Sequence, residues 1–208
     1  MVPAPDRTTG LRIGLFGGTF DPPHFGHVTV ARDVADALSL DRMLWMPAGI
    51  PPHKPSVEVT PASLRLEMVE AAALSDARFS VSDLELMRRG PSFTVDTLRA
   101  LRDDDAAAEL FLVIGADQLR VFDTGWKDPE EILRLATLAV MDRDGEDART
   151  VAPDLPGMEG LRHVPVTRVD LSSSAVREAL ATGSDVTRML PEAVLAVIRR
   201  EGLYREPT

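Results

Sequence analysis

The fold of this chain is decided by the stretch GGTFDPPHFGH at residues 17–27. An apolar run at residues 11–16 precedes the stretch, and a segment with helical periodicity follows at residues 28–38. This order is typical of a buried strand, a glycine turn and the start of a helix. Glycines let the backbone turn sharply and approach a ligand, and the free amides of a helix start attract anions. The stretch therefore predicts a phosphate-binding turn.

The same stretch contains two histidines, His24 and His27. If the helix begins near residues 23–24, both imidazoles lie on one face of its first turn. A neutral imidazole donates a hydrogen bond, and a protonated one adds positive charge. We expect the pair to contact one phosphate group, although either histidine alone would be read as a surface residue near a helix start.

The composition indicates one globular domain with a sizeable core, because the 208 residues are 44% hydrophobic and 27% charged. A net charge of −10 argues against a polynucleotide-binding surface, which needs clustered Lys and Arg. The chain has no cysteine, which excludes disulfides, thiolate zinc sites and cysteine nucleophiles.

Residues 1–10 are polar and contain prolines, so we expect a flexible N-terminal segment without the apolar core of a signal peptide. No later apolar run approaches the length of a membrane span. The expected location is cytoplasmic, with no membrane partner.

The rest of the chain alternates between apolar runs and helical patterns. Strands are predicted at residues 42–47, 79–82, 110–114, 137–141 and 163–166, and helices at residues 61–74, 94–101, 129–135, 173–183 and 192–200. Thr60, Ser92 and Asp128 are the predicted N-caps, and the three serines at residues 172–174 are predicted to start the helix near residue 173. Leu64 and Met68 are expected on the inner face of the first of these helices. The alternation predicts a single α/β domain over residues 11–208, with a doubly wound, Rossmann-like parallel sheet.

Two common explanations of a glycine turn between strand and helix are excluded. The turn lacks the GxGxxG of a dinucleotide-binding fold and the GxxxxGK of a P-loop. Neither a dehydrogenase nor a P-loop kinase fits this sequence.

The stretch carries the HxGH signature of a superfamily of nucleotidyltransferases, and the chain resembles the bacterial nicotinate-nucleotide adenylyltransferases among them. HxGH is also found in pantetheine-phosphate adenylyltransferases and class I aminoacyl-tRNA synthetases, so the narrower resemblance depends on later motifs. The most discriminating is SFTVDTL at residues 92–98, which is similar to the family's SYTVDTL. A capped amphipathic helix explains the same residues, and both interpretations are compatible because Thr94 lies at the exposed amide end.

Two further motifs of the resemblance concern phosphate. PPHK at residues 51–54 corresponds to a family loop in which Lys54 would contact the polyphosphate, and the alternative is a solvated lysine. LSSSAVR at residues 171–177 is similar to the ISSTxIR signature. Ser172, Ser173 and Arg177 would then bind phosphate oxygens, and the alternative is a plain N-cap with a surface arginine.

The remaining resemblances concern the nucleosides. GAD at residues 115–117 is similar to a GxD turn near ATP, where Asp117 would accept hydrogen bonds from ribose or would merely cap the next helix. Arg143 falls where the family has the arginine of an RPG turn, with Asp144 in place of the proline. Trp126 resembles the tryptophan that stacks on the pyridine ring. Gly125 is an extra residue before it relative to the family pattern, so Phe122 could share that role.

The resemblance implies adenylyl transfer from ATP to nicotinate mononucleotide, giving nicotinate adenine dinucleotide and pyrophosphate in NAD biosynthesis. The implied catalytic residues are His24, His27, Lys54 and Arg177. The implied ATP-binding residues are Gly17, Gly18, Thr19, Phe20, Gly115, Asp117, Arg143, Ser172 and Ser173, and those for nicotinate mononucleotide are Thr94 and Trp126.

The implied cofactor is Mg²⁺ held largely by ATP, without a protein metal site. The implied partners are ATP and nicotinate mononucleotide, with no polynucleotide. The alternatives are a pantetheine-phosphate adenylyltransferase and a regulatory protein that binds a nucleotide without catalysing a reaction.

Overall fold

The computed structural model describes residues 10–49, 59–88, 90–142 and 155–205. These ranges contain one six-stranded parallel sheet in the order β3-β2-β1-β4-β5-β6. Its strands are β1 (Arg12–Gly18), β2 (Arg42–Pro47), β3 (Phe79–Val81), β4 (Glu109–Gly115), β5 (Thr137–Asp142) and β6 (Arg162–Pro165). The predicted doubly wound, Rossmann-like sheet is confirmed.

The central strands are buried on both faces, as their uniformly apolar sequences predict. Leu15 of β1 lies beside Leu44 of β2 and Leu112 of β4 in the sheet. These three side chains belong to the core layer on one face, whereas the neighbouring Phe16 belongs to the layer on the other face. Strand alternation therefore divides the core into two apolar layers, each covered by helices.

The helices of the described ranges are α1 (Phe25–Ala37), α2 (Ala62–Ala73), α3 (Leu84–Met87), α4 (Thr94–Asp104), α5 (Ala116–Leu119), α6 (Phe122–Gly125), α7 (Pro129–Leu135), α8 (Ser173–Ala181) and α9 (Glu192–Glu201). The six longer helices lie where they were predicted, within a few residues. Of the single-turn helices, only α5 was predicted, as the helix that Asp117 would cap; α3 and α6 were not predicted. No helix in this part of the chain has the length and apolar character needed to cross a bilayer.

Two of the three predicted N-caps, Thr60 and Ser92, are wrong, whereas Asp128 is confirmed at the predicted position. The N-cap position is occupied by Pro61 in α2 and by Phe93 in α4, and Asp128 holds that position in α7 without a side-chain cap bond. The Thr60 hydroxyl and the Ser92 hydroxyl bond other parts of the chain instead. The three serines start α8 as predicted: Ser172 is its N-cap, and the Ser172 Oγ accepts from the Ala175 amide at 3.1 Å.

The inner face of α2 also differs from the predicted one. Met68 is buried as expected, but Leu64 is only half-buried, and Arg65 is 3% exposed. The Arg65 guanidinium is buried because it donates to two backbone carbonyl oxygens, those of Thr19 and Thr60. The helix is thereby rotated so that a cation, rather than a leucine, faces the loop after β1.

The sheet topology determines where a ligand can bind. All strands are parallel, so their carboxyl ends lie along one edge of the sheet. From β1 the chain continues to β2 on one side, whereas β4 lies on the other side. Ligands of doubly wound folds bind at such a reversal of strand order, outside the carboxyl ends of the strands. Here that position is occupied by the stretch at residues 17–27.

Candidate active site

The loop between β1 and α1 is held by side chains of two helices. Three of its backbone carbonyl oxygens accept hydrogen bonds: Thr19 from Arg65 Nη1 at 2.9 Å, Asp21 from Arg177 Nη1 at 2.7 Å, and Pro22 from Ser173 Oγ at 2.9 Å. Arg65 belongs to α2, and the other two donors belong to α8. A loop that would otherwise be free to move is thereby fixed in front of the first turn of α1.

His24 and His27 form a close pair at the start of α1. His24 is the N-cap residue, and its backbone amide donates to Nδ1 of His27 at 3.2 Å. The two imidazole rings lie 3.8 Å apart between centroids, at an interplanar angle of 36°. Because Nδ1 of His27 accepts this bond, the proton of the neutral ring is on Nε2. The predicted placement of both rings at the first turn agrees with this geometry.

A cavity of about 550 Å³ opens at the carboxyl ends of β1, β2 and β4. Its lining is mainly apolar, with a small number of polar groups, which is typical of a site for a small organic ligand. The residues that matter for its chemistry are Gly17, Gly18, Thr19, Glu85, Thr94, Thr97, Trp126 and Lys127. We call it the acceptor cavity.

Trp126 forms part of the wall of the acceptor cavity and is half-buried. Phe122 lies behind it, fully buried, with the two ring centroids 5.4 Å apart. Phe122 is absent from the cavity lining, so it supports the indole rather than offering a second stacking surface. The next residue, Lys127, lies over the Phe93 ring at 4.7 Å and pairs with Asp96 at 3.3 Å, which connects this wall to the start of α4.

The half-buried carboxylate of Glu85 also faces the acceptor cavity, and no sequence pattern had pointed to it. Glu85 Oε1 accepts from Thr97 Oγ1 at 2.9 Å, and the same hydroxyl accepts from Arg88 Nη1 at 3.1 Å. Burial raises the pKa of Glu85 above its ordinary value, against the opposing effects of the Thr97 hydrogen bond and the Arg88 charge.

A second cavity, of about 420 Å³, lies beside the start of α1. We call it the nucleotide cavity. It is lined by His24, Gly26, Val30, residues 167–172 and Ala175, and its surface is more polar than that of the acceptor cavity. Ser172, the N-cap of α8, is among these residues. One wall is fixed to α1, because the Thr167 amide donates to the Asp33 carboxylate at 2.6 Å.

The remaining sequence-predicted residues are distributed more widely. Phe20 is 2% exposed and belongs to the core, and Gly115 is buried at the end of β4. Asp117 is exposed on α5, and it lines neither cavity. Its alternative role as a helix cap is wrong, because the N-cap of α5 is Gly115. Lys54 and Arg143 lie outside the described residues.

Within the described ranges, no group of three or more His, Asp or Glu side chains is placed to hold a metal ion. Mg²⁺ prefers oxygen ligands and keeps several waters, and nucleotide phosphates supply such ligands.

Comparison with known sequences gives consistent relatives. Residues 15–179 match the cytidylyltransferase-like family. A protein from Thermus thermophilus, named probable nicotinate-nucleotide adenylyltransferase, is 45% identical over 197 residues, covering 94% of this chain and all of the relative. Proteins of the same name from Chromobacterium violaceum and Shouchella clausii are 40% and 38% identical, covering 93% of this chain and 99% and 96% of their own lengths.

Solved structures show the same fold. The nicotinic acid mononucleotide adenylyltransferase of Plasmodium falciparum, complexed with NaAD, superposes with a TM-score of 0.74 at 16% identity. The superposition covers 93% of this chain and 97% of that one. At this identity the likeness concerns the fold alone.

Proposed function

Since the chain belongs to the cytidylyltransferase-like family and, within it, to the nicotinate-nucleotide adenylyltransferases, we propose that it transfers the adenylyl group of ATP to nicotinate mononucleotide. The products are nicotinate adenine dinucleotide and pyrophosphate, and the reaction is a step of NAD biosynthesis. The observation that carries this function is the arrangement of two cavities on the stretch at residues 17–27. A reaction between two nucleotides needs two such compartments with one shared boundary.

The chemistry of the two linings supports an assignment of the substrates. The acceptor cavity suits nicotinate mononucleotide, because the Trp126 indole offers a flat face to a pyridine ring. Thr94 begins α4 at the wall of this cavity, so its hydroxyl and the free amides of the first turn suit the carboxylate. The more polar nucleotide cavity suits the adenosine of ATP. The reacting phosphates then meet near His24 and His27.

The transfer needs no side-chain nucleophile. An oxygen of the mononucleotide 5′-phosphate attacks the α-phosphorus of ATP, a new P–O bond forms, and the bond to the β-phosphate oxygen breaks. Pyrophosphate leaves with that oxygen and its electron pair. The protein contributes alignment and stabilisation of charge on phosphate oxygens. His27 is suited to the second task, since its neutral ring carries the donor N–H on Nε2 when Nδ1 accepts from His24.

Arg177 combines two tasks in this proposal. Its guanidinium donates to the Asp21 carbonyl oxygen at 2.7 Å, and this bond holds the loop. It also donates to Ser174 Oγ, within α8, at 3.2 Å. A guanidinium has further N–H groups in the same plane, which suit a phosphate. We propose that Arg177 binds phosphate while it anchors the loop, and that Lys54 adds a second cation.

The other predicted ligand contacts are proposals of the same kind. Gly17, Gly18 and Thr19 line the acceptor cavity rather than the nucleotide cavity, so we propose that their backbone faces the phosphates at the shared boundary. Ser172 and Ser173 open α8 beside the nucleotide cavity.

Nucleotidyltransferases of this family use a divalent metal with ATP, and we propose Mg²⁺. The described residues hold no carboxylate cage, which fits an ion that enters on the nucleotide phosphates and neutralises their charge. We also propose that residues 11–208 form the transferase domain, so a variant without residues 1–10 should keep its turnover.

The decisive experiment measures pyrophosphate release from ATP with three acceptors in parallel: nicotinate mononucleotide, nicotinamide mononucleotide and phosphopantetheine. Release with nicotinate mononucleotide is expected. Release only with phosphopantetheine would identify a pantetheine-phosphate adenylyltransferase. ATP binding without release for any acceptor would indicate a regulatory nucleotide-binding protein.

A further inference from the structure

Tyr204, the only tyrosine of the chain, contacts the loop between β1 and α1 from the far side. It follows α9, and its hydroxyl donates to Oδ1 of Asp21 at 2.5 Å. The same hydroxyl accepts from Thr60 Oγ1 at 3.1 Å. The three groups form a chain of hydrogen bonds that ends on a carboxylate, and such chains polarise and strengthen one another.

Each of the three oxygen atoms of Asp21 accepts a hydrogen bond. Its carboxylate accepts from the Tyr204 hydroxyl and, at Oδ2, from the Thr60 amide at 3.3 Å. Its backbone carbonyl oxygen accepts from Arg177. Asp21 is 7% exposed and precedes His24 by three residues. Its position therefore determines where the chain enters α1 and where the histidine pair lies.

The buried charge of Asp21 is compensated locally. Arg65, 3% exposed, donates to the carbonyl oxygens of Thr19 and Thr60 and interacts electrostatically with Asp21. Burial lowers the pKa of Arg65, and the charge of Asp21 opposes that effect. A buried charged network adds little to stability even when its members are bonded, because desolvation offsets their attraction, so its place beside the loop suits a positioning role.

We propose that Tyr204 is a positioning residue for adenylyl transfer. Its hydroxyl fixes Asp21, and through Asp21 the turn that places His24 and His27 between the acceptor and nucleotide cavities. Tyr204 lines neither cavity, so it acts only through the loop. This inference rests on the proposed function and assigns a role in it to a residue far from the motifs in the sequence.

The kinetic test is Tyr204→Phe, which removes the hydroxyl and keeps the ring. Misalignment of reacting groups by a fraction of an ångström lowers turnover strongly, so kcat should fall by about tenfold or more. The KM for each substrate should stay within about threefold, because no contact in either cavity is lost. The matched control is Arg200→Ala, which removes the exposed ion pair between α9 and Glu67 of α2, 2.6 Å long, without touching the loop. Its kcat should equal that of the wild type.

A second measurement follows the same hydrogen bond without any turnover. Because the chain has one tyrosine, the absorbance change on phenol ionisation reports Tyr204 alone. Burial and the bond to Asp21 raise the pKa of Tyr204 above its ordinary value, against smaller opposing effects of Thr60 and Arg177. Tyrosinate should therefore form only well above pH ~10, the ordinary tyrosine pKa, and Asp21→Asn should lower the midpoint.

Three outcomes separate the alternatives. A wild-type phenol that titrates near its ordinary pKa would show that the bond does not exist, and the proposal would be overturned. The expected titration together with a Tyr204→Phe kcat equal to that of Arg200→Ala would show a purely structural bond, which also overturns it. A wild-type protein without transfer to nicotinate mononucleotide would instead overturn the proposed function, and the positioning role with it.

Discussion

The backbone amide of His24 donates a hydrogen bond to Nδ1 of His27, so one histidine sets the orientation and the tautomer of the other. The bond makes Nε2 the donor nitrogen of the neutral His27 ring, which is fixed further by edge-on packing against Phe20, with centroids 5.1 Å apart. A donor that is fixed before the reaction starts has no reorganisation to undergo when charge develops on phosphate.

His27→Ala should therefore lower kcat by about a hundredfold or more, the usual effect of removing one preorganised donor. ATP affinity should change much less, because the contact matters most in the transition state. Steady-state kinetics measures both effects, and a thermal melt checks that the fold is intact. Turnover within a few-fold of wild type would contradict the assigned role.

Arg177→Lys should be damaging although it conserves the charge. In the proposed function the guanidinium binds a phosphate while it donates to the Asp21 carbonyl oxygen and to Ser174, and an ammonium lacks the planar fork for these contacts. We expect a large loss of kcat/KM, measured beside Arg199→Lys, an exposed change of the same kind on α9. Equal activities of the two variants would make Arg177 a surface residue.

The enzyme should prefer nicotinate mononucleotide to nicotinamide mononucleotide. A carboxylate accepts from the Thr94 hydroxyl and the amides at the start of α4, whereas a carboxamide leaves a donor unpaired at a cost of about 1–3 kcal/mol. The ratio of specificity constants should therefore be about tenfold to a hundredfold or more.

The ratio of specificity constants for the two mononucleotides also distinguishes the roles of Thr94 and Trp126 in the acceptor cavity. It should shrink in Thr94→Ala and remain largely intact in Trp126→Ala, because the indole stacks on either ring. Equal use of both mononucleotides by the wild type, or a loss of preference in Trp126→Ala alone, would refute this account of selectivity.

Glu85→Gln should stabilise the protein near neutral pH. The pKa of Glu85 is raised chiefly by burial, so the neutral form is favoured in the folded state. The stabilising contribution of protonated Glu85 to folding is fully present below its unfolded-state pKa of about 4.3. It is lost as the pH rises through the folded-state pKa. Glutamine keeps an acceptor for Thr97 without the charge.

The gain in melting temperature of Glu85→Gln should thus be larger at pH 7 than at pH 4. Thermal melts at both values test this, with Glu109→Gln, an exposed site at the start of β4, as the comparison. A gain that is the same at both pH values would mean that Glu85 is not destabilised by burial of its charge.

The fold was predictable from sequence because its strands are short apolar runs with clear ends, and because the turn at residues 17–27 is contiguous. The two misassigned caps, Thr60 and Ser92, each bond a group outside the helix they were predicted to cap. The Thr60 hydroxyl bonds a residue 144 positions away, and no local pattern reveals a partner at that distance. The single-turn helices α3 and α6 were missed because they are too short to show a helical period.

The candidate site was predictable to the extent that its residues lie in one continuous motif. His24, His27 and Trp126 could be proposed in this way. Arg65 and Tyr204 could not, because their importance comes from the loop they contact, and that loop is far from them in sequence. The one local sign of a buried contact was the presence of Arg65 on an otherwise apolar helix face.

The acceptor and nucleotide cavities have no lining residue in common among those described. A substitution at one of these lining residues therefore alters one compartment directly and not the other, as long as the turn between them is kept. With the proposed assignment of the substrates, such a protein can be engineered toward a new acceptor while it retains its nucleotide donor. Selectivity for the pyridine and selectivity for the nucleobase can then change independently.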